Sequence, residues 1–291
     1  MKELREHQPS MTVEEQIQNL KAKGLIIKDE GYAKSILKDI SYFRLIKGFS
    51  IGLKEKNGNY YDNTSFENII KLYDFNTKFR ELVFSKIGLV EITFRSRIAN
   101  YFCDTYGVLG YLNSNNFENK FYFDEFLKDT DEELKRNKRS PYIVNYQSNY
   151  VGGSVPFYAL IEISSFGMIS KFYKNMLSKD KKIIAKSFNV SYNYLESWIE
   201  TFAYIRNICA HYGRLYNVEF TKKPKLYSAI QDLGIKNNRI FGALICLKII
   251  LKLDPSWNEF INNISVLFEQ YSHINISYMG FVEGWKELLS V

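Results

Sequence analysis

The most constraining feature of this sequence is a stripe of apolar residues at helical spacing between Thr64 and about Tyr101. Phe75, Phe79, Leu82, Val83, Ile87, Val90, Phe94 and Ile98 recur every three or four residues, the pattern of an α-helix with one buried face. Thr64 and Glu67 form a capping-box pattern at its start. A second stripe, Leu195, Trp198, Ile199, Phe202, Ile205 and Cys209, marks a helix within residues 191–217, with Ser191 at its expected N-cap.

Other helix signals surround these two. Thr12 and Glu15 read as a capping box, with Ile17 and Leu20 facing inward and Gly24 as a stop. A helix is predicted over about 32–40, and 42–61 reads as a short hairpin or a loop around Asn57-Gly58. Gly152-Gly153 and Pro156 announce a helical stretch broken near Gly167. Residues 239–253 read as a buried helix, and Ser256 with Glu259 as a third capping box. Strand signals are weak, and neither repeats nor linkers separate domains. The expectation is an all-α protein in three parts: residues 1–63, a helical core over 64–222, and a C-terminal helical segment over 223–291 packed on it.

Composition narrows the function. The chain has 291 residues, 46% hydrophobic and 24% charged, with a net charge of +7 and a pI near 9.0. A basic balance favours a polyanionic partner. The 22 Tyr and 22 Phe invite base stacking, but Phe, Tyr, Ile, Lys and Asn are abundant together, which AT-rich codon usage explains more simply. Cys103, Cys209 and Cys246 are odd in number and far apart, which fits reduced thiols in the cytoplasm. His7, His211 and His273 are too few for a histidine-rich metal centre, so neither metal nor cofactor is expected. The polar N-terminus lacks a signal-peptide core. The apolar run Ile240–Leu253, interrupted by Lys248, is too short to span a membrane.

The candidate chemistry closes the second stripe. Arg206 and His211 are spaced Arg-x4-His, with Asn207 between and Arg214 three residues beyond. Five residues turn a helix by about 140°, so Arg206 and His211 do not share a face, whereas Asn207 and His211 do. The ordinary alternative is a helix-end Arg and His stabilising the macrodipole. On the long helix, Arg80, Glu91 and Arg95 fall within about 60° of one another. Glu91 and Arg95 have the favourable i, i+4 order, so a salt-bridged face is the bland reading. Arg97 points toward the apolar stripe and calls for a buried acid or a dimer contact. The basic run Lys135–Arg139 reads as a solvated face.

RNICAHYGRLYN, with FYALIEISSFGMISKFY and LYDFNTKFRELVFSKIGLVEITFRSRIANYF upstream, resembles the Abi family of bacterial abortive-infection proteins, AbiD/AbiF type. The opening MTVEEQIQNLKAKGLII and closing MGFVEGWKELL resemble that family's ends. The resemblance implies a HEPN domain, a helical bundle whose hallmark is Arg-x4-6-His, often with Asn after the Arg. It also implies an antiphage, metal-independent endoribonuclease whose site is built from two HEPN domains. With one motif per chain, a homodimer is required. Arg206 and His211 would be catalytic; from their placement beside that motif or on one side of the long helix, Asn207, Arg214, Arg80, Glu91 and Arg95 are the candidates to bind substrate or support the site. RNA is the implied partner, and a regulatory small RNA is a further candidate, given the charge. The rival readings are a non-catalytic HEPN module binding RNA or protein, and, more weakly, a DNA-binding repressor.

Overall fold

In the computed structural model, described over residues 9–290, the regular structure is helical; the described residues hold no β-strand, only isolated bridges. His7 and most of the polar N-terminal stretch lie outside the described residues. None of the described helices is long and apolar enough to cross a membrane. Chain contacts divide the molecule into two units, one of residues up to Phe79 with 267–274, the other of 80–266 with 275–290.

In the smaller unit, α1 (Val13–Ala22) starts as the sequence predicts: the Thr12 hydroxyl accepts from Glu15 N–H, and Glu15 reaches back to the Thr12 N–H. Gly24 follows in the left-handed region, φ +83°. Asp29 caps α2 (Glu30–Asp39). Within 42–61 the predicted short hairpin is reduced to one antiparallel bridge pairing Lys54 with Tyr60 around Asn57-Gly58, and a π-helical turn that the sequence did not announce covers Phe43–Lys47. Here α3 (Phe66–Tyr106) begins. Its cap is not the predicted Thr64–Glu67 box. A parallel bridge ties Ile26 to the chain at Thr64 and Phe66, and Ser65, one residue later, donates its N–H and hydroxyl to Asn68 Oδ1. Phe75 packs against Phe268 and Tyr271.

The larger unit contains the rest of α3, with Val83, Ile87, Val90, Phe94 and Ile98 fully buried. It continues through α4 (Lys120–Arg136), α5 (Pro141–Asn149), α6 (Phe157–Ile163), α7 (Phe166–Asn175) and α8 (Ser178–Ser187) to α9 (Tyr192–Ala210). The helical stretch breaks near Gly167 as predicted, at Ser164–Ser165. The Ser165 hydroxyl caps α7 by accepting from Met168 N–H at 3.2 Å. Ser191 occupies the N-cap position of α9, but its hydroxyl caps nothing.

The apolar stripe of α9 is inside. Leu195, Trp198, Ile199, Phe202 and Ile205 are fully buried, worth about 1.5–3 kcal/mol each for the large side chains. The helix packs against α7, α8 and α11 (Ile240–Leu251). Apolar on all sides, α11 is buried as such a helix must be; its Lys248 ammonium donates to the Leu288 carbonyl at 3.0 Å. Tyr101 and Tyr106 both donate to the buried Asp180 carboxylate at 2.6 Å, fastening α8 to the end of α3.

Arg97 meets no acid among the described residues. Its guanidinium donates to the Ser187 carbonyl and hydroxyl and lies 4.0 Å over the Phe188 ring, which compensates its partial burial. The remaining helices are the short α10 (Ser228–Gln231) and α13 (Trp285–Leu289) and the longer α12 (Trp257–Gln270). The Ser256 hydroxyl ahead of α12 is engaged by Asp254 and Lys86 instead of a capping box with Glu259.

Candidate functional site

The predicted residues gather in the larger unit where α3 passes the C-terminal part of α9. Glu91 is the hub. It is 8% exposed, and each carboxylate oxygen takes a different arginine. Oε2 accepts from Arg206 Nε at 3.1 Å, and Oε1 accepts from Arg95 Nη2. Arg95 also donates from Nη1 to the carbonyls of Ile161 and Ser164, the latter at 2.7 Å. These carbonyls close α6, so Arg95 satisfies a helix end that would otherwise be orphaned in the interior. The i, i+4 salt bridge predicted on α3 is therefore present, and it is buried.

Arg206 differs from Arg95. Its side chain keeps 35% of its exposure, and its guanidinium lies 5.9 Å from the Phe84 ring centre. Nε is its only hydrogen-bonding nitrogen among the described residues. Two arginines against one carboxylate leave the cluster with one excess positive charge. Asn207 and His211, four apart on the other face, are both exposed. No hydrogen bond joins Arg206 to His211 among the described residues. The structure thus ties the arginine of the motif to Glu91 and leaves the histidine facing outward.

His211 is the C-cap of α9, and its N–H donates to the Asn207 carbonyl at 3.0 Å. Tyr212 then turns left-handed, φ +55°. The Tyr212 N–H donates to Cys209 O (3.1 Å) and the Gly213 N–H to Ile208 O (2.7 Å), a Schellman closure. The usual glycine of such a closure is displaced by one residue. Gly213 is needed for space, since a Cβ there would sit 2.7 Å from Ile208 Cγ2 and 2.9 Å from Ile208 O. The other non-glycine residues with positive φ among those described are all asparagines, the type that tolerates it. A tyrosine there carries strain, which concentrates at functional positions.

Arg80 reaches this helix end from α3. It is 6% exposed, and its guanidinium lies 5.5 Å from the Tyr212 ring centre. Burial pushes the Cys209 thiol up to about 12, with the Arg80 charge pulling the other way. Arg214 is half-buried, and burial holds its guanidinium below the ordinary arginine range. Phe84 and Tyr212 escaped the sequence reading: the first is one of many aromatics on α3, and the second matters through its φ. Among the described residues, no three His, Cys, Asp or Glu side chains converge as a metal-binding group.

No curated protein and no solved structure matches the chain. The model of the Abi-like protein family, Abi_2, matches residues 35–217, a span that contains α3, the Glu91 hub and the whole of α9. The chain therefore belongs to the Abi-like protein family.

Proposed function

We propose that this protein is an abortive-infection effector of the HEPN type, a metal-independent endoribonuclease acting against phage. Family membership supports the defence role. The observation that carries the nuclease reading is the placement of the motif: a half-exposed Arg206 fixed by a buried carboxylate, one helix turn from an exposed His211 at the helix end.

The chemistry follows from those groups. RNA brings its own nucleophile, the 2′-hydroxyl. The His211 imidazole, a side chain suited to proton transfer near neutral pH, takes the 2′-hydroxyl proton or protonates the departing 5′-oxygen. The Arg206 guanidinium faces the charge that develops on the phosphorus oxygens. Glu91 holds Arg206 through Nε alone, so the paired Nη groups remain for a phosphate, and Arg95 keeps Glu91 in place. Asn207 and Arg214 contact the substrate. The products are a 2′,3′-cyclic phosphate and a 5′-hydroxyl.

One chain offers one Arg and one His on different helix faces. We therefore assign the working form to a homodimer, two copies placing their motifs around one phosphodiester. A structured small RNA is a suitable restraint for a toxic basic protein. Incubating labelled RNA with the purified protein, with and without EDTA, tests the function: cleavage in both supports it, and binding without cleavage favours a non-catalytic RNA-binding module.

A further inference from the structure

Arg80 poses a physical question that the Arg206–His211 reading does not answer. A guanidinium taken out of water ordinarily acquires a carboxylate, a carbonyl or a phosphate. Arg80 is 6% exposed, yet among the described residues it has no hydrogen bond and no ion pair. Its neighbours of chemical note are the Tyr212 ring at 5.5 Å and the Cys209 thiol, which feels its charge. A ring face offsets part of a cation's lost hydration but accepts none of its five N–H donors. The two arginines at Glu91 are answered: Arg95 by Glu91 and two carbonyls, Arg206 by Glu91.

The surroundings are arranged to hold a cation without consuming its donors. The negative end of α9 favours positive charge, but the Ile208, Cys209 and Asn207 carbonyls there already accept from Gly213, Tyr212 and His211. The side chain is not fully sealed either: the residue keeps 6% of its exposure. The ring over which Arg80 lies belongs to Tyr212, the residue that follows His211 and takes the strained backbone conformation.

We propose that Arg80 is a phosphate-binding residue: it takes a backbone phosphodiester of single-stranded RNA flanking the one cut at His211, with Tyr212 positioning its fork. This rests on the ribonuclease reading for its location. A largely buried, unanswered guanidinium is preorganised for an anion, because its surroundings already hold it and most of its desolvation is met in the folded protein. The contact carries no base information and so adds affinity on any RNA sequence.

The test uses the full chain carrying His211→Ala, so that the probe stays intact, and a short fluorescent single-stranded RNA in a salt titration. Arg80→Met is expected to bind about tenfold more weakly, with the slope of log affinity against log salt reduced by about 0.7. Its melting temperature is expected not to fall, because an apolar side chain replaces an unanswered charge. Arg80→Lys keeps the slope, having kept the charge, but loses affinity because lysine cannot reproduce the stacked fork.

Unchanged affinity and slope in folded Arg80→Met would overturn the proposal and leave Arg80 as a helix-end cation. So would a slope in Arg80→Lys reduced as in Arg80→Met, or a parent that binds no RNA. Should Arg80→Met not fold, Arg80→Lys decides alone, and wild-type affinity there overturns the assignment. Weaker binding by the variants together with a wild type that cuts no RNA supports Arg80 and sinks only the ribonuclease reading. Cleavage by the wild type with unaltered binding by the variants does the reverse.

Discussion

Arg206 Nε donates to Glu91 Oε2 at 3.1 Å across 115 positions of sequence. The carboxylate is the more buried partner, with 10% of its side chain exposed against 35% for the arginine. The two ends of this bond therefore answer differently to mutation. Glu91→Gln leaves Arg95 held by two carbonyls but removes the charge that both arginines face, at a cost on the order of 3 kcal/mol. Arg206→Ala removes the half-exposed partner and costs about 1 kcal/mol. Thermal or chemical unfolding of the two variants measures the difference; equal losses would mean that the pair is not organised around a buried carboxylate.

Gly213 lies where the chain leaves α9. An alanine Cβ would press on Ile208 Cγ2 and the Ile208 carbonyl, the acceptor of the closing hydrogen bond. Gly213→Ala is expected to destabilise by about 1–3 kcal/mol and to reduce cleavage by displacing His211. Unaltered stability and activity would show that the helix end relaxes freely.

The Cys209 thiol gives a prediction in pH. Burial raises it to about 12, well above the ordinary thiol value near 8.5. An acid with a raised folded value holds its proton longer in the native state than in the unfolded one. Its contribution is complete below about 8.5 and is lost as pH climbs toward 12. Native protein at pH 8 should therefore alkylate Cys209 far more slowly than unfolded protein, and its stability should decline on alkaline titration. Mass spectrometry after a timed iodoacetamide pulse reads the first; equal labelling of native and unfolded Cys209 would contradict the burial.

If two copies complete the site, the protein in solution should have twice the chain mass of 34.2 kDa. Light scattering coupled to size exclusion reads this directly. A monomer that nevertheless cleaves RNA would remove the two-copy arrangement.

Helices were legible where local rules act alone. The stripe of α9 reads from periodicity, and every residue in it, Leu195 through Cys209, is buried. The Thr12–Glu15 box likewise needs only four adjacent residues. Rules that depend on distant contacts were not legible. The cap of α3 moved from Thr64 to Ser65 because the bridge to Ile26 engages the chain on either side of Ser65. The break near Gly167 was legible, but not that Arg95 reaches from α3 to satisfy the carbonyls at the end of α6. Periodicity placed Arg80, Glu91 and Arg95 on one side of α3. It could not give Glu91 its second arginine from α9, nor leave Arg80 without a polar partner, because both follow from helix packing.

The most direct test of the account is the chemical identity of the ends made when the protein cuts RNA in excess EDTA. The wild type should yield 2′,3′-cyclic phosphate and 5′-hydroxyl ends, and His211→Ala and Arg206→Ala, still folded, should lose cleavage by at least about a hundredfold. Cuts leaving 5′-phosphates, cleavage abolished by EDTA, or undiminished cleavage in both variants would contradict it.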